Sequence, residues 1–483
     1  MSPARSPAAP ITPNKPSADD GLPLPRRRIA FAAIALGIIM STLDGSIANT
    51  ALPTIARELH ASPSESIWVV NGFQLAVTAS LLTCASLGDL VGGARVYRFG
   101  TVLFILGSLA CALSRTLPVL IASRAVQGLG AAAIMAISPA LVREIFPRKQ
   151  LGRAVGWNAL VVGAGTASGP TIGGLLLAVL AWPWLFAINV PLGIANVLLN
   201  RALPEDERGD LRRLDLPSAA LSAIGLASTI WGLDGFSRAE PGWTIAARII
   251  IGVGALVAFV LRQRGLARPM IALDLFRIPR FAFAGATSVA TFAAQGIAYV
   301  SLPFFFQVGL GQTPLESGLL LTAWPIGIVF SAPLAGRLSD RIFPGALATG
   351  GLAVLTIGLA LYASLGEHPS TLAIVSHGLL CGIGYGFFQS PNNRELLGSA
   401  PREKSASAGG FLATFRLSGQ TFGAALLAIV FGAYGASLES GAAHDAIVRA
   451  TPPALWIACA FAGIATVASA LRLRYHADSR RLA

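Results

Sequence analysis

The segment Ser168-Gly169-Pro170-Thr171-Ile172-Gly173-Gly174-Leu175-Leu176-Leu177-Ala178 returns 250 residues later as Ser418-Gly419-Gln420-Thr421-Phe422-Gly423-Ala424-Ala425-Leu426-Leu427-Ala428, identical at seven of eleven positions. One such match in a chain rich in Gly, Ala and Leu carries little weight. A second set agrees with it: Pro63, Glu65, Ser66 and Asp89 recur as Pro314, Glu316, Ser317 and Asp340, at a spacing of 251. Two sets with nearly the same spacing point to an internal duplication.

Composition says what the halves are made of. Of 483 residues, 54% are hydrophobic and 12% charged, where an average soluble domain carries about 25% charged residues. A soluble multidomain enzyme is excluded on that balance. At about 20 apolar residues per crossing, the apolar runs bounded by charge, Gly or Pro predict six spans near 29–52, 66–88, 98–114, 117–140, 154–179 and 183–203. After a charged break from Glu205 to Asp215 come two more, near 216–236 and 244–261. Six others follow near 281–307, 316–337, 346–365, 371–390, 407–434 and 452–471, which makes fourteen.

The fold class expected is therefore an all-α integral membrane protein with two six-helix bundles, 29–203 and 281–471. A linker, 204–280, inserts two extra transmembrane helices between them. Residues 1–28, with seven prolines in the first 25 and no apolar core, read as a disordered cytoplasmic tail, and 472–483 as a cytoplasmic C-tail. Both halves start on the same side, so they are parallel repeats about an axis along the membrane normal, as in transporters that bind substrate between rocking halves.

Charge placement fixes the expected orientation. With the N-terminus inside, 29 of the 36 Lys and Arg fall on the inner side, five outside and two, Arg124 and Arg416, within spans. This is the positive-inside pattern of a multi-pass inner (plasma) membrane protein. The formal charge of +13 is spread between apolar runs and forms no nucleic-acid patch. The four cysteines lie in apolar stretches without a CxxC pair, so neither a disulfide framework nor a metal site is indicated.

Among the 23 acidic residues, Asp44 alone sits well inside a predicted span. Ionisable groups in membrane helices are functional by default. Asp44 falls about 22 Å along span one and Arg124 about 10 Å into span four from its outer end, so the two are able to meet. Such a carboxylate either pairs with a cation or takes a proton. The competing reading is a permanent structural pair, or a cap near Gly45.

Gly165, Gly169, Gly173 and Gly174 punctuate span five and Pro170 removes a hydrogen bond there. That suits a kinkable gate, or equally a plain packing face. Asp89, Gly92 and Arg95 close the second span, and Gly336, Asp340 and Arg341 the tenth. Both sets read as a cytoplasmic latch or as loop anchors. Asn71, Gln74, Gln295, Trp324, Gln389 and Asn392 are candidate cavity residues, each also explicable by packing. Arg416 either offsets Asp44 or binds an anionic group on a substrate.

No catalytic constellation is visible. No lysine follows a glycine, so a GxxxxGK phosphate loop is absent, as are HExxH and GxSxG. The chain reads as a transporter, not an enzyme, with no cofactor expected.

The stretch Leu43-Asp44-Gly45-Ser46-Ile47-Ala48-Asn49-Thr50-Ala51-Leu52-Pro53, followed by Trp68-Val69-Val70-Asn71, resembles the first-span motif of fourteen-span drug:proton antiporters of the major facilitator superfamily. Arg124-Ala125-Val126-Gln127-Gly128-Leu129-Gly130 resembles their fourth-span motif, Gly165 to Gly174 their fifth-span antiporter motif, and Asp89 to Arg95 their loop motif between spans two and three. The loop motif departs from the usual pattern, with Ala85 in place of its first Gly and Leu90, Gly93 and Ala94 in place of basic residues. The second half keeps Gly336, Asp340 and Arg341.

The resemblance implies multidrug efflux by alternating access. Asp44 and Arg124 would couple transport to protons, and the cargo would be small amphipathic or cationic compounds. An anionic metabolite or antibiotic, held by Arg124 and Arg416, is the alternative cargo; a membrane-embedded enzyme or sensor is a distant one. The expected partners are a small-molecule substrate, protons and the lipid bilayer, with no nucleic acid and with function as a monomer.

Overall fold

The computed structural model describes residues 21–147, 150–204, 215–237, 240–266, 272–339, 341–366, 368–401, 405–435 and 443–481. Among these the structure is all helical, and fourteen helices are long and apolar enough to cross a membrane. They are α1 (Leu24–Glu58), α2 (Pro63–Gly88), α3 (Gly93–Leu113), α4 (Leu117–Ile145), α5 (Leu151–Val179), α6 (Trp184–Ala202), α7 (Leu216–Ser237), α8 (Gly242–Gly265), α9 (Pro279–Gly309), α10 (Pro314–Leu338), α11 (Pro344–Ala363), α12 (Thr371–Ser399), α13 (Ser405–Ala433) and α14 (Ala443–Arg481).

The repeated Pro and Glu residues have a physical explanation. They sit in twin capping boxes that start α2 and α10. Ser62 Oγ accepts from the Glu65 N–H at 3.2 Å while Glu65 Oε2 accepts from the Ser62 N–H at 3.0 Å. Thr313 and Glu316 make the same pair of bonds at 3.2 and 2.8 Å. Each box satisfies N-terminal donors that the helix itself leaves unpaired, and Pro fills the first helical position, where its missing N–H costs nothing. The start of α3 is set differently. Gly92 takes φ 105° between α2 and α3, a conformation that a side chain resists.

Packing repeats with an offset of eight helices. The pairs α1–α5, α2–α4, α3–α4, α3–α6 and α1–α6 recur as α9–α13, α10–α12, α11–α12, α11–α14 and α9–α14. Two seams join the sets, α5 against α10 and α2 against α13. The added helices break this symmetry. α7 packs on α8, and also on α2 and α13, where Leu82, Leu221, Phe259, Phe281, Phe411 and Phe415 belong to one apolar cluster. The equivalent α5–α10 seam has no such cover among the described residues.

The halves are locked together on the face opposite the termini. Gln307 Nε2 donates to Thr50 O at 2.8 Å, and α13 packs on the first turn of α2. On the same face α5 meets α10 backbone to backbone, because a Cβ on Gly318 would lie 2.4 Å from Pro170 O and one on Gly174 2.7 Å from Pro314 O.

Two helices run furthest past the predicted spans. α12 continues from the expected 390 to Ser399, and α14 starts at Ala443 and reaches Arg481. Charged residues read as lying at or beyond span ends are thereby built into helices. Glu395 and Arg472 become buried, 9% and 1% exposed.

Candidate functional site: a sealed carboxylate and a second arginine

Asp44 lies in α1 and Arg124 in α4, 2% and 0% exposed. The guanidinium Nη1 donates to Asp44 Oδ2 in a close ion pair. Two amides complete the shell. Gln127 Nε2 donates to Asp44 Oδ1 at 2.9 Å and Asn189 Nδ2 to the same oxygen at 2.8 Å. Gln127 is held in turn, since Nε2 also reaches Ser108 Oγ at 2.8 Å and Oε1 accepts from Arg124 Nη1 at 2.6 Å.

Arg124 is fixed on its other sides. Its Nε donates to Val69 O at 3.0 Å, and its plane lies over the rings of Phe73 and Phe186, 4.2 and 5.3 Å from their centroids. Its Nη2 has no hydrogen-bond partner among the described residues. The arrangement holds one carboxylate away from water, matched by one cation and two neutral donors.

Gln127 and Asn189 were not among the residues singled out from sequence. Gln127 carried a signal, because at i+3 from Arg124 it shares a helix face with it. Asn189 carried none. It follows the short break at Ile188 that divides α6, and only the packing of α6 on α1 brings it to Asp44.

The α5 glycines divide into two faces. A Cβ on Gly165 or Gly169 would lie 2.2 Å from Thr42 Oγ1 or Ser46 Oγ, and Gly173 rests on Ile47 and Thr50, so these three seat α5 on α1. Pro170 and Gly174 face α10 instead. Beside them Thr171 and Thr322 pair hydroxyls at 2.5 Å, and a cleft of about 350 Å³ opens along the seam, lined by Ser168, Thr171, Ile172, Thr322, Ile326 and Phe330 among others.

The candidate cavity residues separate in the same way. Gln74 accepts from Thr421 at 3.3 Å across the α2–α13 seam. Gln295 accepts from Gln420 Nε2 at 3.0 Å and lies within hydrogen-bonding reach of Tyr299 and Tyr385. Trp324 packs edge-on to Tyr299 at 5.1 Å. The buried Asn71 Oδ1 and Trp324 Nε1 have no partner among the described residues. Gln389 is half-buried.

Asn392 does not line a cavity. It is fully buried, donating to Ser288 Oγ at 2.9 Å and accepting from Arg472 at 3.1 Å. Arg472 also faces Glu395 at 3.4 Å. Asp44 is therefore not the only acidic residue buried within the spans. The extra turns of α12 and α14 are the reason that span prediction passed over this second ion pair.

Arg416, half-buried in α13, is not a partner of Asp44, whose oxygens are taken by α4 and α6. Tyr385 lies near it. The loop segments are only partly placed: Asp340 lies outside the described residues, as does the Asp89 side chain. Arg95 is exposed and donates to Val91 O at 3.2 Å. Arg341 is exposed, and Gly336 lies near Ser390. A tie that sequence did not suggest joins Arg394 to Ser339 Oγ at 3.0 Å, from α12 to the end of α10. Among the described residues no group of His, Cys, Asp and Glu is arranged to hold a metal ion.

Comparison with known proteins agrees with this architecture. The chain is 45% identical over 442 residues to the uncharacterized transporter YebQ of Escherichia coli, covering 91% of this chain and 96% of that one. It is 34% identical to the riboflavin transporter RibZ of Clostridioides difficile, covering 92% and 97%, and 33% identical to the multidrug resistance protein Stp of Mycobacterium tuberculosis, covering 85% and 77%. Among solved structures, a POT family transporter in complex with a thioalcohol-conjugated peptide superposes with a TM-score of 0.69 at 13% identity, covering 94% of this chain and 96% of that one, a likeness of fold alone. The Major Facilitator Superfamily profile matches residues 34–424 and 283–481. With fourteen membrane-spanning helices packed in this repeated order, the chain belongs to the Major Facilitator Superfamily and is a membrane transporter, not an enzyme.

Proposed function

We propose that this transporter is a proton-coupled exporter of small amphipathic compounds, working by alternating access between bundles 29–203 and 281–471. The observation that carries the reading is the sealed network of Asp44, Arg124, Gln127 and Asn189. A mid-span carboxylate held in this way can pass between two states, ionised and paired or protonated and released, and only protonation changes its charge. Relatives named for multidrug resistance support efflux of organic compounds.

With both termini in the cytoplasm, as the distribution of Lys and Arg supports, the locked face is the outer one and substrate enters from the cytoplasm. The α5 glycines and the Gly174–Gly318 contact form the hinge that must part when the outer face opens. Asp89, Gly92 and Arg95, with Gly336, Asp340 and Arg341, close the inner face in the opposite state. A proton then enters Asp44 from outside, and its release inside is driven by about 2.3 kcal/mol per 100 mV for each charge moved. The protein does this as a monomer in the plasma membrane.

The test is transport in proteoliposomes under an imposed pH gradient. Intact protein moves substrate and protons together, whereas Asp44→Asn loses gradient-driven transport while it still exchanges substrate across the bilayer. Undiminished gradient-driven transport by Asp44→Asn removes Asp44 from the mechanism.

A further inference from the structure

Among the described residues, Arg124, Arg416 and Arg472 lie in the interior of the bundles with different company. Arg124 has Asp44, and Arg472 has Glu395. Arg416 has no carboxylate and no hydrogen-bond acceptor among the described residues, although it sits about 12 Å into the apolar part of α13, counted from Ala408. Packing in the interior of a membrane protein does not tolerate an unmatched guanidinium without cause. The residue is not fully buried at that depth, so its guanidinium is not sealed as that of Arg124 is.

The groups near Arg416 are neutral and suited to an aromatic ring. Gln420 is one turn from Arg416 on the same face of α13 and reaches Gln295 on α9. Gln295 joins Tyr385 and Tyr299, and Tyr299 meets the Trp324 ring at 5.1 Å. The internal repeat makes the contrast with the first half explicit. At a spacing of 250 or 251, Asp44 falls on Ala294 or Gln295, so the second half has no carboxylate at the position where the first half keeps its ion pair. The first half is charge-balanced and closed. The second is cationic and aromatic.

We infer that Arg416, with Gln420, Gln295 and Tyr385, is the anchor for the acidic group of the cargo, and that the substrates of this transporter are aromatic anions, such as carboxylates, rather than cations. The guanidinium supplies a planar pair of donors to the anionic group, the amides and Tyr385 offer further polar contacts, and Tyr299 and Trp324 flank the ring. Asp44 is not offered to a cationic cargo, because both its oxygens are engaged and sealed by α4 and α6. The inference rests on the exporter reading for its direction of transport, but not for binding.

Binding is therefore measured first, on purified full-length protein without a gradient. The probes are the aromatic carboxylates fluorescein, 2-naphthoate and salicylate against the aromatic cations ethidium and tetraphenylphosphonium. Intact protein is expected to bind at least one of the carboxylates more tightly than either cation. Arg416→Gln should weaken that carboxylate about tenfold or more, the scale of losing one charge-assisted contact, and leave the cations unchanged or tighter. Arg416→Lys keeps the charge and should retain part of the affinity, while monodisperse elution and unchanged thermal unfolding show that both variants fold. Preference for cations by the intact protein, failure of all three carboxylates to bind, or equal losses for anions and cations in Arg416→Gln overturns the inference. Asp44→Asn separates the two readings. If it keeps carboxylate binding but loses gradient-driven transport, both stand; if carboxylate binding depends on Arg416 yet transport ignores the proton gradient, only the proton-coupled reading falls.

Discussion

Asp44 is supported by residues whose contributions differ in kind. Arg124 supplies the opposite charge, and removing it leaves a buried carboxylate unmatched, a loss of about 3–5 kcal/mol in comparable pairs. Gln127 supplies order: one amide bonds Asp44, Ser108 and Arg124 at once. Gln127→Leu keeps the bulk of the side chain but deprives Asp44 of one donor and Arg124 of one acceptor. We predict a stability loss of about 1–3 kcal/mol, read as a lower unfolding temperature in detergent, together with slower proton-driven transport. Unchanged melting and transport would show that the amide is incidental to the pair.

At the scale of elements, α5 is the part on which the two halves bear. It packs on α1 through Gly165, Gly169 and Gly173 and on α10 through Pro170 and Gly174. The α10 contact has no spare room. Gly318→Ala would place a methyl carbon 2.4 Å from Pro170 O and 3.2 Å from Gly174 Cα, and a backbone oxygen cannot rotate away. The helices must separate, at a cost of about 1–3 kcal/mol. Spin labels at Leu175 and Leu319, both exposed on the lipid side of this seam, should then lose their short-distance population relative to the parent protein. An unchanged distance distribution would mean that the seam yields elsewhere.

At the scale of the whole molecule, the inserted pair α7–α8 makes the two seams unequal. α7 covers the α2–α13 seam, where Phe411 is 5% exposed, while on the α5–α10 side Phe330 is 76% exposed beside the 350 Å³ cleft. Brominated lipid should therefore quench a fluorophore attached at position 330 strongly and one at position 411 weakly. Equal quenching at both positions would show that the insert does not shield its seam in the bilayer.

The sequence by itself determined the span number, the duplication and the most conspicuous ionisable residues. Apolar length and charge placement are one-dimensional quantities that the bilayer imposes on every crossing. The capping boxes at Ser62–Glu65 and Thr313–Glu316 were legible as a repeat for the same reason, since each is closed within four residues. Tertiary structure alone decided who meets whom. Asn189 is an ordinary polar residue of α6 until that helix packs on α1, and Glu395 and Arg472 looked like end charges until α12 and α14 ran on and buried them together. Arg416 shows the limit best. Its position in a span is written in the chain, but whether an arginine is neutralised depends on the side chains that neighbouring helices bring to it, and Asp44, the partner that sequence offered, is already held by α4 and α6.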